Sequence, residues 1–370
     1  MVFSIEIKYN EALTKLRRTS MKITLIYGGK SAEHDISILS AFSILNAIYY
    51  NYYEVQIVYI SKDGQWLKGP IFNKAPESKE VLNLTLKNAQ PILPSDIKEA
   101  NSVIFPVLHG PNGEDGTVQG LFEVLGMPYV GAGVLASACA MDKIVAKQLF
   151  QQVGIPQLPY VSVIKRHYMN EKEAVLSECE GTLIYPMFVK PANLGSSVGI
   201  SKAETKEELI EAIENAFKYD RRVVVEQGIE ARELEVAVLG NDEVRTTAAG
   251  EIVKDVAFYD YESKYIDNKE DLQFPADVSD DVHLKMQEYA KKAYIALDGS
   301  GLSRCDFFLT ANNEIFLNEV NTLPGFTQFS MYPLLWEHMG ISYSDLLEEL
   351  IQLAKLRHEK KQAIELGQMS

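Results

Sequence analysis

Residues 304–325, which read RCDFFLTANNEIFLNEVNTLPG, are the feature that most constrains the fold of this chain. Two apolar runs, FFL and IFL, flank Ala-Asn-Asn, a pattern that indicates a β-hairpin. If the turn is centred between Asn312 and Asn313, Asp306 and Glu319 are equidistant from it and lie opposite one another. Two carboxylates in such a pair repel each other, so the pattern favours a cation between them.

Asn321 extends this set, because it follows Glu319 by two residues and therefore points to the same face of the strand. Oxygen ligands without histidine or thiolate select a hard ion, Mg²⁺ or Mn²⁺. Mg²⁺ held by few carboxylates completes its shell with water and nucleotide phosphate, so the hairpin suggests an ATP site. An ordinary solvated hairpin with acids at its ends explains the same residues equally well, since a turn shifted by one residue would separate the acids.

Composition excludes several classes of protein. A chain of 370 residues is too long for one core and should form two or three domains. The net charge is −15 and no segment concentrates basic with aromatic residues, which argues against a nucleic-acid partner. A charge, a proline and three glycines interrupt the apolar run 121–141, so membrane insertion is not expected. Three widely spaced cysteines predict neither a disulfide framework nor a zinc site and fit a reducing cytoplasm: Cys139, Cys179 and Cys305.

The first third of the chain predicts an open parallel sheet. Residues 1–20 lack the apolar segment of a signal peptide and are interpreted as a leader or extension outside the fold. Strands at 22–27, 54–60 and 102–108 alternate with helical segments and end in polar, glycine-rich loops. Ligands are expected at the carboxyl ends of these strands.

Two glycine motifs only partly match the nucleotide-binding patterns that they resemble. The Gly-Lys-Ser at 29–31 lacks the first glycine of a P-loop, since position 24 is threonine; these glycines instead favour a tight turn that exposes Glu33 at a helix start. The segment GAGVLA at 131–136 resembles a dinucleotide fingerprint, but the acidic residue expected about 20 positions later is missing. A close-packed turn at a domain joint is the favoured interpretation.

The middle third contains a candidate phosphate loop. A helix at 141–153 carries Lys143, and a strand near 186–190 ends in Lys190. The following Gly-Ser-Ser-Val-Gly, with Ser196 and Ser197, offers permissive backbone, amide donors and two hydroxyls suited to phosphates. An ordinary turn would explain this loop if it stood alone. Beyond it, the polar segment 259–276 is typical of a lid, and helices are predicted at 282–297 and 343–358.

Eight segments in this order resemble the D-alanine–D-alanine ligase family of the ATP-grasp superfamily: GGKSAEHDIS, HGPNGEDG, MDK, FVKPANLGSSVGIS, ARELEVAVLG, VKDVAFYDYESKY, RCDFFL and NEVNTLPGFTQFSMYP. The resemblance covers about residues 21–357. It implies an α/β fold of three domains: a Rossmann-like open parallel sheet (21–131), a central ATP-grasp lobe (132–227) and a C-terminal catalytic lobe (228–360). ATP would be gripped between the last two, with the lid at 259–276 and the metal hairpin at 304–325.

The resemblance also implies an activity. The carboxylate of one D-alanine attacks the γ-phosphate of ATP, and the amine of a second D-alanine displaces phosphate from the acyl phosphate. The products are ADP, phosphate and D-alanyl-D-alanine for peptidoglycan precursors. Two Mg²⁺ or Mn²⁺ ions, a homodimer and a cytoplasmic location are implied as well.

Site residues follow from the same resemblance. Three residues correspond to the metal ligands: Asp306, Glu319 and Asn321. Five correspond to the ATP site, the lysines at the phosphates and the glutamates at adenine and ribose: Lys143, Lys190, Ser197, Glu226 and Glu233.

The remaining assignments concern the amino-acid substrates. Glu33 corresponds to the acid that binds the first ammonium group, in a hydrogen-bonded group with Ser196 and the lid residue Tyr265. Arg304 corresponds to the arginine that stabilises the tetrahedral intermediate, with a backbone donor from Gly325. Four further residues correspond to positions that contact the substrates, Ser330 and Met331 at the second carboxylate: His109, Lys264, Ser330 and Met331.

Two departures and two alternatives remain. Cys305 occupies a position where small residues such as alanine are common, and Gln227 one often held by lysine. A D-alanine–D-lactate depsipeptide ligase shares the ATP machinery, but the Lys264-Tyr265 pair resembles the dipeptide-forming pattern. A nucleotide-binding protein without catalytic activity should have lost an acid or the arginine, and both the acids and Arg304 are present.

Overall fold

The computed structural model describes residues 21–253 and 272–366. The predictions for the leader 1–20, for most of the lid and for Lys264 and Tyr265 therefore lie outside the described residues. No helix in the described ranges has the length and apolar character needed to cross a membrane.

The first sheet is the predicted parallel one with an antiparallel extension. Strand β1 lies parallel to its two neighbours, β2 and β5, and the full order is β4-β3-β2-β1-β5. The strands β3 and β4, which pair antiparallel at the edge, were not predicted. The strands are β1 (Met21–Gly28), β2 (Tyr53–Ile60), β3 (Trp66–Phe72), β4 (Gln90–Ile92) and β5 (Ser102–Pro106).

The turn after β1 requires glycine. Gly28 has φ +90°, and a Cβ atom there would lie 2.2 Å from the carbonyl oxygen of Ile60. The tight turn brings the chain directly into helix α1 (His34–Ala47), with Glu33 as the residue before its first turn. The predicted position of this acid at a helix start is therefore confirmed, although its side chain is only partly exposed.

The helix predicted at 141–153 is confirmed over residues 143–152, and a separate helix ends just before it. After α2 (Thr117–Leu125), the chain forms α3 (Val134–Met141) and then α4 (Lys143–Gln152). Asp142 separates α3 from α4, because its carboxylate accepts hydrogen bonds of 3.1 Å from the backbone N–H groups of Ile144 and Val145. An aspartate in this capping position favours a new helix start, and it places Lys143 at the first position of α4.

The second sheet is a separate antiparallel unit with its own core. Its order is β6-β9-β7-β8, and Leu176, Leu209 and Ile213 are among the residues buried beneath it. The strands are β6 (Tyr160–Ile164), β7 (Met187–Pro191), β8 (Ser201–Ala203) and β9 (Arg222–Gln227). The helices are α5 (Lys165–Asn170), α6 (Lys172–Thr182) and α7 (Lys206–Ala216).

The third sheet is also antiparallel and carries the predicted hairpin. Its order is β13-β12-β10-β14-β15, with β11 paired to β10, and α8 (Asp280–Ala296) packs against it. Its strands are β10 (Arg232–Gly240), β11 (Arg245–Thr246), β12 (Gly250–Ile252), β13 (Leu272–Gln273), β14 (Gly301–Leu309) and β15 (Ile315–Asn321). The prediction that the lid loop runs to residue 276 is wrong at its end, since β13 pairs with β12.

The C-terminal helices join the first sheet to the third. One continuous core contains residues of β1 and β2 together with Leu302, Trp336 and Leu347. The helices are α9 (Met331–His338) and α10 (Tyr343–Leu366), so the predicted end of the last helix at 358 is eight residues short. The extra residues include lysine, glutamine, alanine and leucine, all good helix formers, and no glycine or proline interrupts them before 366.

Arg357 on α10 ties the joint between these units. Its guanidinium donates hydrogen bonds to the carbonyl oxygens of Gly131 and Tyr129 and to Ser300 Oγ, and it stacks 4.3 Å from the centroid of the Tyr129 ring.

We expect Arg357→Met to lower the free energy of unfolding by about 2–4 kcal/mol, since the carbonyl groups of Gly131 and Tyr129 lose a charged donor. Chemical denaturation measures this loss. Lys360→Met, which removes an exposed ion pair to Asp242, should change it by less than about 1 kcal/mol; equal effects would contradict the role of Arg357.

Candidate active site

The hairpin pairs Asp306 with Glu319 as predicted, but the pairing depends on a β-bulge that was not predicted. Asp306 lies opposite Glu319, but Phe307 pairs with Leu317 and Leu309 with Ile315, which centres the turn on Asn312. A regular ladder from that turn would place the next residue, 318, opposite Asp306. A β-bulge at the step between Phe307 and Asp306, where Asn318 is the extra residue on β15, restores the pairing with Glu319.

The bulge also changes which side chains face the cleft. Leu317 and Val320 are buried, whereas the two consecutive residues between them, Asn318 and Glu319, are both partly exposed. Asn321 continues the same face. Three polar side chains of β15 are thus presented together, where strict alternation over this stretch would present two.

Asp306 is held by cationic and amide donors. Arg304 Nε and Nη2 each donate a hydrogen bond of 2.7 Å to its carboxylate, and Asn321 Nδ2 donates one of 2.9 Å. Glu235 on β10 is opposite Asp306 in the ladder, and its Oε2 is 3.0 Å from Arg304 Nε. Arg304 therefore neutralises two neighbouring carboxylates, as a bidentate guanidinium does well.

Lys143 connects three parts of the chain. Its Nζ lies 3.5 Å from Glu319 Oε2 and donates a hydrogen bond of 2.7 Å to the carbonyl oxygen of Leu194, in the glycine-rich loop. Its backbone N–H donates to the carbonyl oxygen of Ala192. The start of α4 is therefore attached to the candidate phosphate loop and, through the lysine side chain, to the hairpin.

Lys190 belongs to a buried ionic cluster with Glu226 and Lys147. Lys190 Nζ is 2.6 Å from Glu226 Oε2 and 3.3 Å from Asn318 Oδ1, while Lys147 pairs with the other oxygen of Glu226. Burial alone would raise the pKa of Glu226, but the two lysines outweigh burial and lower it to about 2. Burial prevails at Lys147 and lowers its pKa; at Lys190 burial acts the same way, but attraction to Glu226, Glu319 and Glu233 outweighs it and raises the pKa.

The depressed pKa of Glu226 predicts a specific pH dependence of stability. Its ordinary value is 4.5, so the contribution of its ionised form is fully present above about pH 5 and is lost as the pH falls towards 2. The shift corresponds to about 3 kcal/mol. We expect Glu226→Gln to lose roughly this stability at neutral pH and to respond less to acid over that interval, measured by urea unfolding. Glu214→Gln, at an exposed ion pair with Lys172, is the control; a neutral-pH loss as small as that of the control would contradict the interpretation.

The glycine-rich loop adopts a strained backbone. Ser196 and Ser197 have φ values of 51° and 58°, in the left-handed region that costs non-glycine residues about 1–2 kcal/mol each. Ser197 is exposed, and Gly199 also has a positive φ. Consecutive left-handed residues turn their amide groups away from regular pairing, as in loops that accept anions.

The loops after β1 and β5 meet at Glu33. Gly110 approaches so closely that a Cβ atom there would lie 2.7 Å from Glu33 Oε2. His109 is buried, with Nδ1 3.1 Å from the carbonyl oxygen of Leu323 and 3.8 Å from Glu114 Oε1, and Nε2 3.1 Å from Ser40 Oγ. Burial disfavours its charged form, but Glu114 and Glu33 outweigh burial and raise the pKa of His109. Within residues 21–253 and 272–366, no hydrogen bond joins Glu33 to Ser196, so their predicted grouping with Tyr265 stays a prediction.

The positions assigned to the second substrate follow β15. Gly325 is buried, and Ser330 precedes the first turn of α9, which starts at Met331. Ser330 Oγ lies 2.9 Å from Thr327 Oγ1 and accepts a hydrogen bond from the Thr327 backbone N–H. These contacts form a compact turn in which Thr327 fixes the orientation of the Ser330 hydroxyl group.

These elements converge on one cleft. It is lined by Glu114 from the first sheet's loops, Lys143 from α4, Gly195 from the glycine-rich loop, and Glu319 and Asn321 from the hairpin. Glu233 is exposed, and it lies near enough to Lys190 to contribute to the raised pKa of that lysine. Glu226, in contrast, is only 2% exposed and lies between Lys147 and Lys190. The structure therefore brings most predicted ATP and metal residues to one place.

The donor set at the hairpin fits a hard divalent cation. Asp306 and Glu319 are directly opposed on one face with Asn321 beside them, and all three offer oxygen atoms. In the part of the chain that the structure describes, no cluster of three or more acidic, histidine or cysteine residues could hold a metal alone. A cation here would need further ligands from water or phosphate, as Mg²⁺ commonly does.

Four residues of the site were not predicted: Lys147, Glu235, Asn318 and Glu114. Lys147 follows Lys143 by four residues, the spacing that places two side chains on one helix face. Glu235 follows Glu233 by two residues on one strand face. The bulge that exposes Asn318 had no sequence signal beyond the polar pair Asn-Glu.

The fold and the cleft together indicate the class of protein to which this chain belongs. Two antiparallel sheets, one behind the glycine-rich loop and one behind the acidic hairpin, meet where Lys190 of the second sheet contacts Asn318 of the third, which is the ATP-grasp architecture predicted above. The sequence matches two family models, described as D-ala D-ala ligase N-terminus over residues 22–132 and D-ala D-ala ligase C-terminus over residues 149–352. The chain belongs to the D-alanine–D-alanine ligase family.

Curated relatives match nearly the whole chain. A D-alanine–D-alanine ligase of Enterococcus faecalis is 65% identical over 343 residues, which are 90% of this chain and 99% of that protein. A D-alanine–D-alanine ligase of Enterococcus hirae is 63% identical over 351 residues, covering 92% of this chain and 98% of the relative.

Solved structures share the fold at lower identity. The VanG D-Ala:D-Ser ligase from Enterococcus faecalis superposes with a TM-score of 0.80 at 38% identity, covering 91% of this chain and all of that one. The D-alanine–D-alanine ligase from Coxiella burnetii gives a TM-score of 0.80 at 33% identity and covers 95% of this chain and all of its own. The architecture is therefore common to ligases that differ in the second amino acid they are named for.

Proposed function

We propose that this chain joins two D-alanine molecules into D-alanyl-D-alanine at the expense of ATP, for peptidoglycan precursors. One observation carries the proposal. Glu319, which is paired with Asp306 across the hairpin, lies 3.5 Å from Lys143 in the cleft, and Lys190 contacts the adjacent Asn318; carboxylates and lysines brought together in this way suit a metal–nucleotide complex. The identity of 65% to a protein named D-alanine–D-alanine ligase supports the choice of substrate.

The reaction takes two balanced steps. A carboxylate oxygen of the first D-alanine attacks the γ-phosphorus of ATP, the bond to ADP breaks, and an acyl phosphate forms. The free amine of the second D-alanine then attacks the acyl carbon, the bond to phosphate breaks, and the amine proton is released. Glu33 holds the first ammonium group beside His109, and Arg304, with the Gly325 backbone N–H, stabilises the tetrahedral oxyanion between the steps.

The nucleotide is held by the groups around the phosphate loop. Lys143 and Lys190 neutralise phosphate charge, Ser197 and its neighbours supply donors, and Glu233 lies at the ribose side. Glu226 acts through Lys190, because both of its carboxylate oxygens already face lysines. Two Mg²⁺ ions held by Asp306, Glu319 and Asn321 would polarise the γ-phosphate when bound.

Other assignments complete the proposal. Ser330 and Met331 receive the second carboxylate at the start of α9. Lys264 and Tyr265 belong to a lid that closes over the acyl phosphate and excludes water, although both lie outside the described residues. The chain is divided at 131 and 227 into three domains, works as a homodimer and resides in the cytoplasm. The separate core of the second sheet supports the central domain.

Phosphate release with defined amino acids tests this function. The protein, ATP and Mg²⁺ are incubated with D-alanine alone, L-alanine alone, or D-alanine plus excess D-serine or D-lactate, and products are separated by chromatography. We expect D-alanyl-D-alanine with one phosphate per dipeptide, and no product from L-alanine. Dominant D-alanyl-D-serine would assign the chain to the class named for its structural relative; dominant depsipeptide, or no nucleotide-dependent product, would also overturn the proposal.

A further inference from the structure

Lys147 is a buried cation to which the site just described gives no role. Its side chain is 3% exposed and lies one helical turn after Lys143 on α4. It pairs with one oxygen of Glu226, whose other oxygen is 2.6 Å from Lys190 Nζ. Its ammonium group also lies 5.2 Å from the centroid of the Tyr160 ring, and Tyr160 is the neighbour of Glu226 across the β6–β9 ladder.

The charges of this cluster do not cancel. Glu226 carries one negative charge and touches two lysines, so the cluster has a net charge of about +1. Without Lys147, Lys190 and Glu226 would form a neutral pair. A phosphate approaching Lys190 would then meet an ammonium group whose charge is offset at a distance of 2.6 Å. Burial strengthens this effect, because water screens little inside the protein.

The geometry of Lys190 points the same way. Two of its contacts are Glu226 Oε2 and Asn318 Oδ1, and an ammonium group has three N–H donors. Lys147 fixes the far oxygen of Glu226, which sets the direction of the near oxygen and hence of Lys190. Lys147 sits on the same helix as Lys143, so one rigid element aligns both lysines of the phosphate site.

We propose that Lys147 is a positioning residue for nucleotide binding: it neutralises Glu226 so that the charge of Lys190 remains available to the phosphates of ATP. Lys147 itself does not touch the nucleotide. Glu226 then bridges the two lysines, and Lys147 offsets the negative charge that would otherwise weaken phosphate binding at Lys190. The inference rests on the proposed ATP site but concerns a residue to which that proposal gives no function.

A charge-compensation cycle tests this role. The variants are Lys147→Met, Glu226→Gln and the double variant, and the measurement is calorimetric binding of a non-hydrolysable ATP analogue with Mg²⁺. We expect Lys147→Met to weaken binding by about ten- to a hundredfold, because Glu226 then offsets Lys190. The double variant restores a net charge of about +1 and should recover most of that loss. In turnover, Lys147→Met should raise KM for ATP far more than it lowers kcat.

A purely structural role predicts a different pattern. If Lys147 only tied α4 to the second sheet, the double variant would lose the same tie and bind no better than Lys147→Met. That result would overturn the proposal, as would unchanged affinity in Lys147→Met. Lys172→Met, which removes an exposed ion pair with Glu214 in the same lobe, is the matched control and should bind like the wild type. Thermal unfolding of each variant identifies any that fail to fold; Lys147→Met keeps the Lys190–Glu226 ion pair, so its affinity and its KM for ATP test the proposal even if the double variant does not fold.

The failure of the proposed function would look different. If the wild-type protein bound no ATP analogue at millimolar concentration, the ATP site and the role of Lys147 would both be overturned. If the wild type binds and the double variant does not recover, only the role of Lys147 is overturned.

Discussion

Glu319→Gln is expected to lower turnover by at least about 10³-fold, because the variant loses one of the two charges that hold the metal and, through it, the phosphates. The carboxylate of Glu319 lies opposite Asp306, and its partner Lys143 is 3.5 Å away. The side chain is 33% exposed, so the loss of this ion pair should cost less than about 1 kcal/mol of stability. Activity and stability should therefore separate in this variant.

Two measurements check that separation. Phosphate release is followed at saturating substrates over a titration of Mg²⁺, and Mn²⁺ binding is followed by electron paramagnetic resonance. Glu314→Gln, at an exposed position in the turn of the same hairpin, should behave like the wild type in both. Near-normal activity of Glu319→Gln at millimolar Mg²⁺ would show that the hairpin does not hold the metal.

The hairpin shows how far sequence reasoning reached and where it stopped. Spacing from Ala-Asn-Asn predicted the pairing of Asp306 with Glu319, and this pairing is confirmed. The predicted turn centre was half a residue late, however, and the bulge compensates for the difference. Bulges depend on packing across the sheet, here on burial of Leu317 and Val320 around two polar residues, and a local pattern does not encode that.

Long-range ion pairs were the other limit. The sequence predicted which segments carry the lysines and acids of the site, from glycine and proline positions, strand periodicity and the family resemblance. None of these signals says that Glu226 would be enclosed by Lys190 and Lys147, which are 36 and 79 residues away in sequence, respectively. Burial of a carboxylate beside two cations is a property of the packed interior, and hydrophobic patterns do not report it.

Arg304 is the second residue for which a large effect is expected. We expect Arg304→Met to lower kcat by about 10²–10³-fold, because it removes the donor proposed for the tetrahedral oxyanion. Divalent cation binding should change in the opposite direction. The guanidinium binds Asp306 through two hydrogen bonds of 2.7 Å and thus competes with a metal for that carboxylate.

The opposite signs make Arg304→Met informative. With the arginine gone, Asp306, Glu235 and Glu319 leave local negative charge, so Mn²⁺ should bind several-fold more tightly than in the wild type. Glu235 is buried and loses its cation, so the metal-free variant should be destabilised by about 3 kcal/mol. Calorimetry, Mn²⁺ titration and single-turnover kinetics measure the three effects, with Arg245→Met at an exposed pair to Glu349 as control. Weaker Mn²⁺ binding in Arg304→Met would refute competition for Asp306, and wild-type kcat would refute its role at the oxyanion.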